Sequence, residues 1–262
     1  MLVACAAALV VVAALAVVAR RRRPGTRFVY PDGSVVVVTA ETLAVNRQTW
    51  EGYQRAVYES DSIRYVYDRL ARRVREAGAA TLVDVGAQSG LYALYAPRFA
   101  GVRVDAYEPY PPSYKCLVDN IALNRARHCV FPRALAISDV RSTAVMRCPH
   151  GHAGLNTLGE RPARFGRWVD VPVETDTLDR LYALRRIDVL KCDTEGFELF
   201  VLKGARAVLL RDKPELLLEV NDTNMRQCGV TRAQLLGELA ALGYRHVATL
   251  DGENYAFSPA AR

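Results

Sequence analysis

The sequence predicts an α/β fold built on a mainly parallel sheet. Three observations carry that expectation. From about residue 79 onward, short β-rich apolar runs alternate with amphipathic helical runs, the rhythm of βαβ crossovers. Four of these runs carry an acid at or near their end, at Asp84, Glu108, Asp193 and Glu219. The last two runs are joined by "DGEN", a hairpin turn, which places one antiparallel pair at an edge of the sheet.

The chain has 262 residues, 51% hydrophobic and 24% charged, with a net charge of +7. "MLVACAAALVVVAALAVVA" (1–19) carries no charged side chain and runs straight into Arg20–Arg23. As a helix it would extend about 28 Å, close to a bilayer core of roughly 30 Å. Positive charge after the apolar run, instead of before it, is the flank of an anchor more than of a cleaved signal. Residues 1–23 are therefore expected to be a membrane anchor with an Arg stop. The protein would be single-pass, with the rest of the chain on the cytosolic side. The four arginines supply four of the seven net charges, so the body carries 7 − 4 = +3. That mild excess disfavours a nucleic-acid partner. Six cysteines without a C-x-x-C pair read as reduced packing thiols.

"RFVYPDGSVVVV" (27–38) reads as a hairpin around Pro-Asp-Gly, and 41–59 as amphipathic and irregular. Residues 60–78 read as a helix: Ser60 or Asp61 can cap it, Ile63, Val66, Tyr67, Leu70 and Val74 line one face, and Gly78 ends it. This hairpin and helical extension spans 24–78, and the main domain spans 79–262. In that domain "TLVDVG" (81–86), "VRVDAYEP" (102–109), "IDVLKCD" (187–193) and "PELLLEV" (214–220) read as strands. Helices are expected at 89–98, at 112–124, from 193 to about 204, and at 231–243. Shorter β-like pieces lie near 129–137, 143–147 and 168–175. A loop rich in Gly, His and Asn runs over 148–166.

Open α/β sheets bind ligands beyond the carboxyl ends of their strands. There the sequence offers Asp84, Gly86, Gln88 and Gly90, with Glu108 eighteen residues further on. G-x-G-x-x-G lacks its middle glycine, and no Gly-Lys-Ser/Thr follows, so neither a dinucleotide nor a P-loop site is provided. The two glycines let a backbone approach a nucleoside without phosphates. Glu108 can accept hydrogen bonds from both ribose hydroxyls. S-adenosylmethionine fits that description.

The chain resembles the FkbM family of S-adenosylmethionine-dependent methyltransferases over about 81–220. The resemblance rests on "VDVGAQSG", "AYEP", "ALAISD" (134–139), "GLNTL" (154–158), "VETDTLDRL" (173–181) and above all "KCDTEGFE" (191–198). It implies a class I, Rossmann-like, mainly parallel seven-stranded sheet with helices on both faces and one antiparallel edge strand. It also implies O-methylation of a sugar, glycan or small natural-product hydroxyl. Ser138 and Asp139 would lie on the adenine side, joining Asp84, Gly86, Gln88, Gly90, Glu108 and Asp193 as cofactor-binding residues. Asp193 and Glu195 would orient the acceptor and take its proton, and His152, in the loop, is a further candidate base. Glu198 reads as a helix-capping acid. Cys148, His150 and His152 lack a second cluster, so no metal is expected. "EPYPPSY" (108–114) follows the second strand and reads as a Pro-rich helix start, not an amino-methylation motif. Two alternatives remain: a non-catalytic module with the same fold, and an enzyme acting on a protein acceptor.

Overall fold

The computed structural model describes residues 25–30, 32–54, 59–149, 156–160 and 167–260. Residues 1–19 lie outside them. Among the described residues no helix is long and apolar enough to cross a membrane. This corrects the expected N-terminal transmembrane helix and the single-pass location drawn from it.

The strands are β1 (Thr26–Val29), β2 (Val35–Val38), β3 (Ala80–Val85), β4 (Val102–Tyr107), β5 (Val130–Arg133), β6 (Ala136–Ile137), β7 (Ser142–Pro149), β8 (Trp168–Asp176), β9 (Val189–Cys192), β10 (Glu215–Glu219), β11 (Tyr244–Leu250) and β12 (Asn254–Pro259). Seven of them form one sheet in the order β11-β12-β10-β9-β3-β4-β5. From β10 to β5 all neighbours are parallel, as the alternating pattern requires. β12 is antiparallel to both β10 and β11. The antiparallel strand is thus next to the edge, not at it: the hairpin folds β12 inward and leaves β11 outside.

Both faces of the sheet are buried. Leu82, Val104 and Leu217 point into one core, and Val83, Val85, Leu190, Leu216 and Leu218 into the other, the alternation that a pleated strand imposes. The first core also takes Tyr30, Val36, Val38 and Trp50, so the N-terminal hairpin and the helix after it share that core. That helix, Ala40–Gln54, occupies the stretch expected to be irregular. It does break at Asn46, whose φ and ψ are −134° and 36°. The next helix, Ser60–Ala77, ends as expected at Gly78, in the left-handed region with its N–H on Val74 O. Its N-cap is Glu59, not Ser60 or Asp61, and Glu59 makes no side-chain cap bond.

The expected helix at 89–98 is a 3-10 helix over Ala93–Arg98 containing Pro97. Gly90, at φ +99°, and a proline that cannot donate a hydrogen bond prevent a regular α-helix. Between β5 and β9 the chain inserts a small sheet, β6-β8-β7, which stands beside the carboxyl ends of the main strands.

Candidate active site

A cleft opens beyond the carboxyl ends of β3, β4 and β9, lined by residues from both the main sheet and the small one. The turn after β3 forms its floor. Gly86 has φ +76°, and a Cβ on it would stand 1.8 Å from Asp193 O. A Cβ on Gly90 would meet Leu117 Cδ1 at 2.9 Å. Gly86 is therefore required by the protein's own packing, and Gly90 by its left-handed backbone, at φ +99°, together with the leucine contact. The room that the sequence seemed to leave for a ligand is filled by the chain end of β9 and by core leucines.

The turn is held from three sides. Trp50 Nε1 and Asn46 Nδ2 donate to Ser89 Oγ at 3.1 and 3.3 Å, and Asn120 Nδ2 donates to Ser89 O at 3.0 Å. The break in the Ala40–Gln54 helix is thus where Asn46 reaches the turn.

Glu108 follows β4 and is 6% exposed. Its Oε2 accepts from Gln88 N and its Oε1 from Tyr110 N, both at 2.8 Å. Gln88 adopts φ +50°. Each carboxylate oxygen has one bond to the backbone and retains accepting capacity toward the cleft. Burial pushes the Glu108 carboxyl up to about 7, against the two backbone N–H groups and Lys191, which favour the charged form.

Lys191, on β9, is the centre of a buried charge cluster. Its Nζ donates to Gly86 O at 2.9 Å and lies 3.3 Å from Asp84 Oδ1 and 3.7 Å from Asp193 Oδ2. Burial works against this ammonium, but Asp84, Asp193 and Glu59 outweigh it and hold its pKa above that of free lysine. Asp84 is fully buried beneath the floor and does not line the cleft. Burial raises its pKa, and Lys191 opposes that rise.

After β9, "DTEG" turns back sharply. Glu195 has φ +56° and Gly196 φ +100°, where a Cβ would meet the Asn224 backbone at 2.3 Å. Glu198 pins this loop: its Oε1 accepts from Thr194 N at 2.7 Å and Thr194 Oγ1 at 2.9 Å. Burial lifts its carboxyl to about 7 against those bonds. Asp193 and Glu195 line the cleft, and Glu195 Oε2 accepts from Asn224 Nδ2 at 2.6 Å.

Glu219 completes a trio with them, all three offering carboxylate oxygens within 4.8 Å of one another. Such a spacing can chelate a divalent cation. Burial, then Asp193 and Glu195, push the Glu219 carboxyl well above the ordinary range, so its protonation relieves the repulsion.

The adenine-side residues sit differently from the expectation. Leu135, Ala136 and Ile137 line the cleft with Met146 and Leu158. Ser138 and Asp139 do not line it. Ser138 N bonds Asp176 O at 2.9 Å, and the Ser138 carbonyl packs against Gly204. Asp139 is exposed. Asn156 lines the cleft, and Thr157 Oγ1 donates to Glu195 O at 3.3 Å. His150 and His152 lie outside the described residues. The sequence reading missed Thr49, Glu59 and Tyr92, which line the cleft, and gave Lys191 no role. A lysine inside an apolar strand was the available signal, since a buried ammonium demands an acid.

A mixed sheet in this order, with a fixed carboxylate after β4 beside the turn after β3, defines a Rossmann-like methyltransferase. The chain belongs to the FkbM methyltransferase family: the family described as "Methyltransferase FkbM domain" matches residues 84–246, more than half of the chain. "Methyltransferase sdnD" of Sordaria araneosa is 35% identical over 153 residues, which cover 47% of this chain and 59% of that relative. The matched stretch thus spans less than two thirds of the relative's length. Among solved structures, methyltransferase FkbM from Methylobacillus flagellatus KT is 15% identical with a TM-score of 0.44, covering 84% of this chain and 55% of that one. The N-terminal domain of human METTL16, solved in complex with SAH, is 13% identical with a TM-score of 0.47, covering 89% of this chain and 88% of that one.

Proposed function

We propose that the chain uses S-adenosylmethionine to methylate a hydroxyl of a sugar, glycan or small natural product. The observation that carries this reading is Glu108, tethered by two backbone N–H groups and turned into the cleft where a ribose diol can donate to it. Leu135, Ile137 and Met146 supply an apolar wall suited to adenine. When bound, the cofactor supplies an electrophilic methyl group on a sulfonium. Asp193 and Glu195 stand at the β9 end of the same cleft. There they can hold an acceptor hydroxyl and take its proton, general-base work that typically contributes 100-fold or more.

The test of the transfer is a labelled-methyl assay across hydroxyl-bearing sugars, glycans and small molecules. The label is expected on oxygen. Asp193→Asn is expected to lower kcat by roughly 100-fold. Label on nitrogen, or an Asp193→Asn enzyme as fast as wild type, would contradict the reading.

The Glu108 pKa gives a second expectation. The folded value, about 7, stands above the ordinary 4.5. In the ligand-free protein this group contributes its stability below about pH 4.5 and loses it as pH rises through 7. Cofactor binding runs the other way, because the ionised carboxylate is the better acceptor. Affinity for S-adenosylhomocysteine should fall as pH drops below 7, by up to about tenfold per unit. Glu108→Gln should bind more weakly and flatten that profile. An unchanged pH profile in Glu108→Gln would remove Glu108 from the binding site.

A further inference from the structure

We propose that Asp193, Glu195 and Glu219 form a subsite for a hard divalent cation, Ca²⁺ or Mg²⁺, at the β9 end of the cleft. The ion's task there, holding the oxygen of the methyl acceptor, rests on the methyl-transfer reading of the cleft. The binding of the ion does not.

Strand pairing builds the site. β9 and β10 run parallel with Leu218 opposite Cys192, so the residues that follow, Glu219 and Asp193, stand side by side. Glu195 returns toward them because the chain turns back there, at φ +56°, with Gly196 packed against the Asn224 backbone. Each of the three acids offers a carboxylate oxygen, and these oxygens lie within 4.8 Å of one another. Ca²⁺–oxygen distances of about 2.3–2.6 Å let two ligands of one ion stand up to about 5 Å apart. The carboxylates therefore need little movement to share an ion. An all-oxygen donor set selects a hard cation over zinc or copper.

Acidic clusters are common on proteins; this one is set apart by buried oxygens that no donor reaches. Glu219 Oε2 is buried and accepts no hydrogen bond. Nor does Glu198 Oε2, on a side chain of a residue only 1% exposed, although its other oxygen holds the Thr194 loop. Glu198 acts electrostatically on Glu219, and Asp193 acts on both, so the two orphaned oxygens belong to one group of carboxylates. Asn156 Oδ1 is a third buried oxygen without a donor. It lines the cleft with Asp193 and Glu195, and its neighbour Thr157 bonds Glu195 O.

Buried acceptors ordinarily find a donor, and an exception calls for a water or an ion. A water donates to two oxygens at most. A cation is shared by all three carboxylates and relieves the repulsion between Asp193 and Glu219. Glu195 joins without losing its hydrogen bond from Asn224, since a carboxylate has about four lone-pair sites. An acceptor hydroxyl on the ion becomes more acidic, which eases the passage of its proton to a carboxylate.

The test is calorimetric titration of calcium chloride, and separately magnesium chloride, into the full chain without cofactor and into Glu219→Gln. One Ca²⁺ per chain is expected, with a Kd of about 0.1–1 mM. Glu219→Gln should weaken it by roughly tenfold or more. Glu219→Asp keeps the charge but draws the oxygen back, and should weaken it too, which covers the case of a glutamine variant that fails to fold. Saturating Ca²⁺ should raise the urea midpoint of wild type and leave that of Glu219→Gln unchanged. No binding to wild type up to about 10 mM would overturn the subsite. So would equal affinity in wild type and both variants, which would put the ion on other acids. Ca²⁺ binding by a protein that does not bind S-adenosylhomocysteine would uphold the subsite and remove the cofactor reading instead.

Discussion

Lys191→Met is expected to destabilise the fold by about 3–5 kcal/mol, the usual result of removing one partner from a buried ion pair. The Lys191 side chain is 4% exposed and that of Asp84 0%. No other basic side chain pairs with Asp84 among the described residues. Methionine fills much of the same volume but leaves the Asp84 carboxylate without its counter-charge and Gly86 O without its donor. The carboxyl must then take up a proton or hold an uncompensated charge. Urea denaturation measures the loss. The double variant Asp84→Asn/Lys191→Met should be less destabilised than Lys191→Met alone, since the fully buried Asp84 charge is removed together with its partner. A loss under 1 kcal/mol in the single variant would show that the cluster does not hold the turn.

Gly86→Ala should be nearly as damaging, for a different reason. The left-handed backbone at φ +76° costs an alanine about 1–2 kcal/mol. The larger part is the contact: the new Cβ would lie 1.8 Å from Asp193 O, a backbone atom that cannot rotate away. The turn and the end of β9 must separate, displacing Asp193 and the Lys191–Gly86 bond together. The expected total is about 3 kcal/mol or more, with cofactor binding lost. Gly78→Ala is the control. Gly78 has φ +78° and nothing within 4 Å of its Cβ position, so it carries the backbone penalty alone. Equal losses in the two variants would mean that the Asp193 contact is not what requires Gly86.

These two variants also mark where the sequence was informative. The strands were legible because apolar runs of four to six residues in a βαβ rhythm leave few alternatives, and the acids at their ends located the cleft. The reason for the glycines was not legible. A D-x-G-x-x-x-G turn looks the same whether a ligand or the neighbouring strand occupies the space. Only the register of β9 against β3, pairing Asp84 with Lys191 and Val85 with Cys192, puts Asp193 O over Gly86.

The placement of β12 escaped for a related reason. A hairpin signal fixes which strands pair, but not which of them meets the sheet. Ser138 and Asp139 do not line the cleft although the residues immediately before them do, because the small sheet directs Ile137 to the cleft and Ser138 to Asp176. Thr49 and Glu59 left no trace at all. Their segment has no motif, and they reach the cleft only because the hairpin and the Ala40–Gln54 helix pack into the first core. Glu198 stands in the first turn of its helix, but its carboxylate holds the preceding loop through the Thr194 and Gly196 N–H groups and makes no cap bond on the helix.

The most direct test of the account is calorimetric titration of S-adenosylmethionine into the full chain and into Glu108→Ala. Wild type should bind with micromolar affinity, about 8 kcal/mol, and Glu108→Ala should lose roughly tenfold or more while keeping its fold. A folded wild-type protein that does not bind, or a Glu108→Ala variant that binds as well as wild type, would contradict the placement of the cofactor in this cleft.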